Sequence, residues 1–203
     1  MNWELPERTY DVVVADPPWM YSGQQDKWGA AAKFYDLIDN ETLKTMPVPD
    51  LMHKNSILFL WTTSPRLDVA IDLIRHWGLT YRGIAFVWVK TRKDGKTPIG
   101  AQGVRPSIVK PTAEYVLTAS KQANGRPLKL ADESIQNIVL APKREHSRKP
   151  DEVNERIDLM YPGSSKIELS ARRQWSDWDK WGNELEKFPA ANTEPLTDDS
   201  DSG

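Results

Sequence analysis

The chain contains no cysteine, which removes disulfides, thiolate nucleophiles and cysteine-bound zinc together. Its three histidines, His53, His76 and His146, share no HExxH or other paired spacing, so no metal centre is expected. The Gly-x-x-x-x-Gly-Lys-Ser/Thr string of a phosphate loop is missing as well. No apolar run approaches the ~20 residues of a membrane-spanning helix, and no membrane association is expected. The first residues, Met-Asn-Trp-Glu-Leu-Pro-Glu-Arg, carry no basic stretch followed by an apolar core. No secretion signal is read there, and a cytoplasmic location is expected.

A strong net charge is also lacking: the formal sum is −2 over 203 residues. The charges are unevenly distributed, however. Lys90 to Lys149 holds 13 Lys and Arg against 5 acids, a balance of +8, whereas Asp177 to Gly203 holds 8 acids against 2 lysines, or −6. A basic middle and an acidic end suit a phosphate-facing surface followed by a solvated tail. With 39% hydrophobic and 28% charged residues, the composition is that of a globular domain with its own core. One domain is expected over 1–188, with a disordered acidic tail over 189–203.

Strand and helix signals alternate. Tyr10 to Ala15 and Ser56 to Thr62 are apolar on both faces, as buried parallel strands are. Between them Asp39 is a helix cap, and another turn starts near Asp50. Ser64-Pro65 reads as a cap and first helical position, followed by Leu67, Ala70, Ile71, Ile74 and Trp77 at helical spacing and a stop at Gly78. Further strands are expected at Ile84–Val89, Glu114–Thr118, Ile138–Leu140 and Lys166–Leu169. A helix capped by Asp151 should run to about Met160 and end at Pro162-Gly163. Trp175, Trp178 and Trp181, spaced by three, read as a packed helical or turn face. The rhythm predicts an α/β domain with a mainly parallel sheet, whose ligands bind beyond the carboxyl ends of the strands. Two long connections, Met20–Leu37 and Thr91–Pro111, read as lids, binding loops or disordered segments.

The first strand ends in Asp16-Pro17-Pro18-Trp19. Two prolines fix φ and lack N–H groups, so the turn is stiff. Asp16 and the Pro17 carbonyl are predicted to form a rigid pair of acceptors, with Trp19 as a flat apolar face beside them. Such a pair suits an aromatic amine like the exocyclic nitrogen of adenine. Two accepted hydrogen bonds orient its lone pair and stabilise positive charge developing on nitrogen. Stacking on Trp19 would hold the base.

Several separated stretches then resemble a known family in its own order. They are Val14-Ala15-Asp16-Pro17-Pro18-Trp19, Leu58-Phe59-Leu60-Trp61-Thr62, Trp88-Val89-Lys90-Thr91, Arg148-Lys149-Pro150-Asp151-Glu152, Lys166-Ile167-Glu168-Leu169 with Ala171-Arg172, and Trp181-Gly182-Asn183-Glu184. The chain resembles the DPPW-type adenine-N6 methyltransferases, which include the eukaryotic messenger-RNA adenosine methyltransferase and small bacterial and phage proteins. The resemblance implies a Rossmann-like domain in permuted order, the catalytic loop preceding the main cofactor-binding strand, with S-adenosylmethionine as cofactor and a bacterial or phage-infected cell as setting. It implies catalytic roles for Asp16, Pro17, Pro18 and Trp19. Lys149 would meet the carboxylate of the cofactor's methionine part, with Arg172, Asn183, Glu184 and Glu168 lining the rest of that pocket. Tyr21 and Tyr35 are candidates to stack on an extruded base, and Lys90, Arg92, Lys93 and Arg105 are candidates for phosphate contacts. DNA is the expected substrate. RNA adenine and a catalytically silent nucleic-acid-binding partner subunit stay open as alternatives, as do homodimer and heterodimer.

Overall fold

A computed structural model describes residues 3–19, 38–100, 109–144, 148–171 and 174–182. Both long-loop stretches 20–37 and 101–108, the 189–203 tail, and Tyr21, Tyr35, Arg105, Arg172, Asn183 and Glu184 lie outside the described residues.

Tyr10–Ala15 forms β1, flanked in parallel by β2 (Met52–Thr63) on one side and β6 (Lys166–Leu169) on the other. Being central, β1 buries both of its faces, which is why Val12, Val13 and Val14 can stand in a row without a polar break. The remaining strands are β3 (Thr80–Thr91), β4 (Ala113–Ser120), β5 (Ile138–Pro142) and β7 (Asp179–Trp181). The seven-stranded order is β5-β3-β4-β2-β1-β6-β7. Among the described strands, β4 alone runs against its neighbours, inserted antiparallel between β2 and β3. This is a mixed α/β, Rossmann-like fold with a mainly parallel sheet.

Each face of the sheet has its own core. Val13, Ala15, Leu58, Leu60 and Leu117 pack with α1 (Asn40–Lys44) and α2 (Leu67–His76). Val12, Val14, Phe59, Trp61, Phe86, Trp88 and Val116 pack on the other face with α3 (Asp151–Met160). Alternating side chains of the same strands supply both layers.

Local details differ from the sequence reading where side chains found other partners. Asp39 does cap α1, accepting the Thr42 N–H at 2.9 Å. Ser64 does not cap α2: Ser64–Arg66 makes a separate 3-10 turn and the helix starts at Leu67. Asp151 is the first residue of α3 rather than its cap, and its carboxylate pairs with Arg144 and Arg148. Trp181 lies in β7, a strand that three-residue spacing did not reveal. Trp175 and Trp178 instead donate their indole N–H groups to Asp158 of α3, at 3.0 and 2.9 Å.

Two carboxylates fix the lower part of the sheet. Asp11 accepts the Ser165 N–H and hydroxyl at 2.8 and 2.9 Å and lies 2.9 Å from His53 Nε2, tying β1 to the approach of β6 and to β2. Asp158 sits 3.1 Å from the ammonium of Lys166, whose side chain is only 5% exposed. Removing the partner of a buried ammonium strands its charge. Asp158→Ala is therefore expected to cost about 3 kcal/mol of stability, and Asp158→Asn less, because it keeps an acceptor for one of the two indoles. Urea unfolding checks this; equal midpoints for wild type and both variants would contradict it.

Candidate active site at the tip of the first strand

The backbone of β1 stays paired until the turn: Asp16 N–H donates to the Leu169 carbonyl at 3.3 Å. The Trp19 N–H then donates to the Pro17 carbonyl at 2.8 Å, closing a three-residue turn. The Pro18 carbonyl accepts from Ile38 at 3.1 Å, and the Trp19 indole donates to the Trp61 carbonyl at 3.1 Å. Two features of the sequence reading change. The Pro17 carbonyl is already engaged by Trp19 and keeps one lone pair for a ligand. Trp19 is 5% exposed and packs with Val13, Ala15 and Leu60 on the α1–α2 side of the sheet. Its ring anchors the loop from behind instead of offering a stacking face. The cavity it borders, about 110 Å³, lies on that same side against Leu43, Val69 and Leu73.

Asp16 follows Val12 and Val14 on the opposite face and enters a row of four charges. Its Oδ1 is 3.1 Å from Lys149 Nζ; that ammonium is 2.9 Å from Glu114 Oε2; and Glu114 Oε1 is 2.6 Å from Lys90 Nζ. The two acid side chains are 13% exposed and the two lysines 21%. Four half-desolvated charges persist only because each faces an opposite one. Burial by itself would raise the Glu114 pKa, but the Lys149 and Lys90 ammonium groups outweigh it and hold it at about 2. Burial likewise opposes charge on Lys149, and Asp16 and Glu114 overcome that, raising its pKa. Beneath the row lie two indoles in edge-to-face contact, their centroids 6.3 Å apart. The Trp61 ring centroid is 5.2 Å from Lys149 Nζ, and that of Trp88 is 5.0 Å from Lys90 Nζ.

The proposed phosphate contacts therefore separate. Arg92 and Lys93 are exposed on a tight ribbon extending β3, where Arg92 N–H meets the Thr97 carbonyl at 2.8 Å. Lys90, grouped with them by sequence, instead faces inward to Glu114. Glu114 itself was missed. The available signal was its spacing: it precedes Val116 by two residues, so a strand there puts a carboxylate on a core-facing position.

The tip of β6 borders the row. Glu168 is half-buried, opposite Val14 of β1 and Lys180 of β7. Beyond it Ser170 adopts a left-handed φ of 61° and turns the chain sharply. Ala171 N–H donates to the Trp181 carbonyl at 3.1 Å. A Cβ on Gly182 would lie 2.9 Å from the Ala171 carbonyl oxygen. Glycine lets the end of β7 close onto this tip.

The acid limb of stability follows from Glu114. Its carboxyl titrates near 4.5 when unfolded and about 2 when folded, so its stabilisation is present above pH 4.5 and drains away as pH falls toward 2. Glu114→Gln should flatten that part of the stability–pH curve. Chemical unfolding at pH 2.5–6 reads the slope, and an unaltered slope in the variant would refute the role of the row.

Residues 10–184 match the MT-A70 family. M.MunI, a type II methyltransferase of Mycoplasma sp, is 30% identical over 201 residues, covering 90% of this chain and 80% of that protein. The human N(6)-adenine-specific methyltransferase METTL4 is 27% identical over 190 residues, 89% of this chain but 38% of its own length. The human N(6)-adenosine-methyltransferase catalytic subunit METTL3 is 26% identical over 179 residues, 87% of this chain and 28% of its own. The chain thus spans most of the Mycoplasma protein and well under half of either human one. Since that match runs from the start of β1 past Gly182, taking in every member of the charge row, the chain belongs to the MT-A70 family.

Proposed function

We propose that this protein transfers the methyl group of S-adenosylmethionine to the exocyclic N6 amine of adenine in DNA. The observation that carries the reading is the Asp16–Pro17 tip. A carboxylate oxygen and a carbonyl lone pair stand together on a stiff turn, at the carboxyl end of a parallel strand where ligands of such sheets bind. Family membership supplies the reaction class. DNA is favoured over RNA by the similarity to the type II enzyme, which extends over 80% of that protein.

The residues present fit the cofactor. Lys149 has three N–H donors, and two are directed to Asp16 and Glu114, leaving one for a carboxylate. Glu168 at the β6 tip supplies an acceptor suited to a ribose hydroxyl. The bound cofactor contributes an electrophilic methyl on a sulfonium centre. The chain's own work is to orient and to compensate charge. Asp16 and the Pro17 carbonyl accept the two N–H bonds of the amine, turning its lone pair out of conjugation and toward the methyl. As nitrogen becomes positive, the Asp16 carboxylate lies next to it. Trp19 and Trp61 hold the loop so that this geometry exists before the base arrives. Arg92 and Lys93, on the exposed ribbon, are the described candidates for phosphate contacts.

Radiolabelled methyl transfer to DNA and RNA oligonucleotides, followed by nucleoside mass spectrometry, tests the proposal. N6-methyldeoxyadenosine is the expected product, with Asp16→Ala slowing turnover at least about 1,000-fold; losing a carboxylate from the charge row lowers the unfolding midpoint, so turnover is read at a temperature where the variant is folded. Wild-type turnover in that variant would exclude Asp16 from the reaction, and product only from RNA would reassign the substrate. A second outcome concerns the β6 tip: Gly182→Ala should weaken cofactor binding in calorimetry about tenfold by pushing the end of β7 off Ala171. Unchanged affinity would separate that contact from the cofactor pocket.

A further inference from the structure

Trp61 contacts from behind two groups that hold the acceptor turn: the Trp19 indole and the Lys149 ammonium. Its backbone carbonyl receives the Trp19 indole, which fixes the far end of the Asp-Pro-Pro-Trp turn. Its ring lies under the ammonium of Lys149, the group that holds Asp16 Oδ1. The ring is 2% exposed, so it meets neither solvent nor substrate. Lys149 is held laterally by two carboxylates and keeps its third N–H for a ligand, so the side turned to the core needs a support that does not claim that donor. A flexible four-carbon stem ends there, and an ammonium that moved by an ångström would carry Asp16 with it. An aromatic face supplies that support without competing as a hydrogen-bond acceptor, because its negative quadrupole attracts the cation along the ring normal. Trp88 repeats the arrangement beneath Lys90, and its own indole N–H is fixed to the Ala141 carbonyl at 3.0 Å.

Resting on the methyl-transfer reading, we infer that Trp61 is a positioning residue of the reaction: its indole face seats Lys149, and through Lys149 it sets the orientation of the Asp16 carboxylate that receives the amine. Substituting the side chain leaves the Trp61 carbonyl, and hence the Trp19 anchor, in place. The ring's contribution is therefore separable from that of the backbone. Trp61→Phe keeps a weaker aromatic face, and Trp61→Leu keeps only apolar bulk.

The test is a double-mutant cycle in single-turnover methyl transfer at saturating cofactor. Trp61→Phe is expected to slow transfer about 3-fold and Trp61→Leu about 30-fold, the span of a desolvated cation–π contact. Lys149→Met is expected to slow it about 100-fold. The Trp61→Leu/Lys149→Met pair should be no slower than Lys149→Met alone, within about threefold, because the ring acts only through the ammonium. A merely structural tryptophan would lower the unfolding midpoint and give multiplying losses, about 3,000-fold in the pair. That result, or a wild-type rate in Trp61→Leu, overturns the inference, and Trp61→Phe decides the matter if the leucine variant fails to fold. The seat is also read without turnover. Lys149 Hε protons should be shifted upfield by the ring current in wild type and released in Trp61→Leu, and no difference between the two overturns it. A wild-type chain that methylates no oligonucleotide, yet shows the shift, condemns the proposed function while leaving the Lys149 seat standing.

Discussion

Two carboxylates and two ammonium groups cannot sit largely buried at the end of a hydrophobic strand unless each has a partner, and the site is organised around that constraint. Desolvating a single charge costs several kcal/mol. Asp16, Lys149, Glu114 and Lys90 escape this by alternating in sign, with contacts of 3.1, 2.9 and 2.6 Å. The order is enforced by topology. Asp16 ends β1, Glu114 enters β4, Lys90 leaves β3 and Lys149 precedes α3, so four separate elements must be in register before the row is neutral. An error in packing anywhere along it strands a charge, which couples the precision of the site to the folding of the whole sheet.

The Asp-Pro-Pro-Trp turn connects the two faces of that sheet. Asp16 points to the α3 side, where the charges lie, and Trp19 to the α1–α2 side, where it is locked in the core. Two intervening prolines make the passage rigid, since neither can relax φ or offer an N–H to a competing acceptor. The tryptophan is therefore to the loop what a bolt is to a bracket. Stiffness at Asp16 derives from burial of Trp19 on the far side, from the Trp61 carbonyl that receives its indole, and from the Pro17 carbonyl that receives its N–H.

The sequence displayed those parts of this design that are local. A run of β-branched residues ending in Asp-Pro-Pro specifies a buried strand and a stiff turn without reference to anything else, and Asp39 announces a helix start because its acceptor serves an N–H three residues on. Lys149 could be assigned to the site only by resemblance, and its ties to Asp16 and Glu114 were invisible, because nothing nearby in sequence shows which carboxylates it will meet. Glu114 was harder still. Its membership depends on cross-strand register, β4 lying opposite Thr63 of β2 and Trp88 of β3, and pairing of that kind is a property of the folded sheet. The same is true of Lys90, which composition grouped with Arg92 and Lys93 although strand alternation turns it inward. Trp19 lies on the α1–α2 side because the two prolines carry the chain across to the opposite face before the indole is reached.

The charge row also restricts how an amine can approach. Asp16 Oδ1 faces Lys149 and the Pro17 carbonyl accepts the Trp19 N–H, so the carbonyl keeps one lone pair for an amine and the carboxylate offers chiefly Oδ2, the oxygen that Lys149 does not hold. Two fixed directions define one plane for a planar NH2 group, and rotating the base out of that plane forfeits one of the two bonds. An acceptor pair with all its lone pairs open would bind the amine as tightly in several orientations, most of them pointing the nitrogen lone pair away from the methyl. Binding energy would then be gained without gain in rate. By occupying part of the acceptor capacity with its own N–H groups, the protein removes some of those orientations, and the partners that hold the loop together are the same ones that favour the reactive pose.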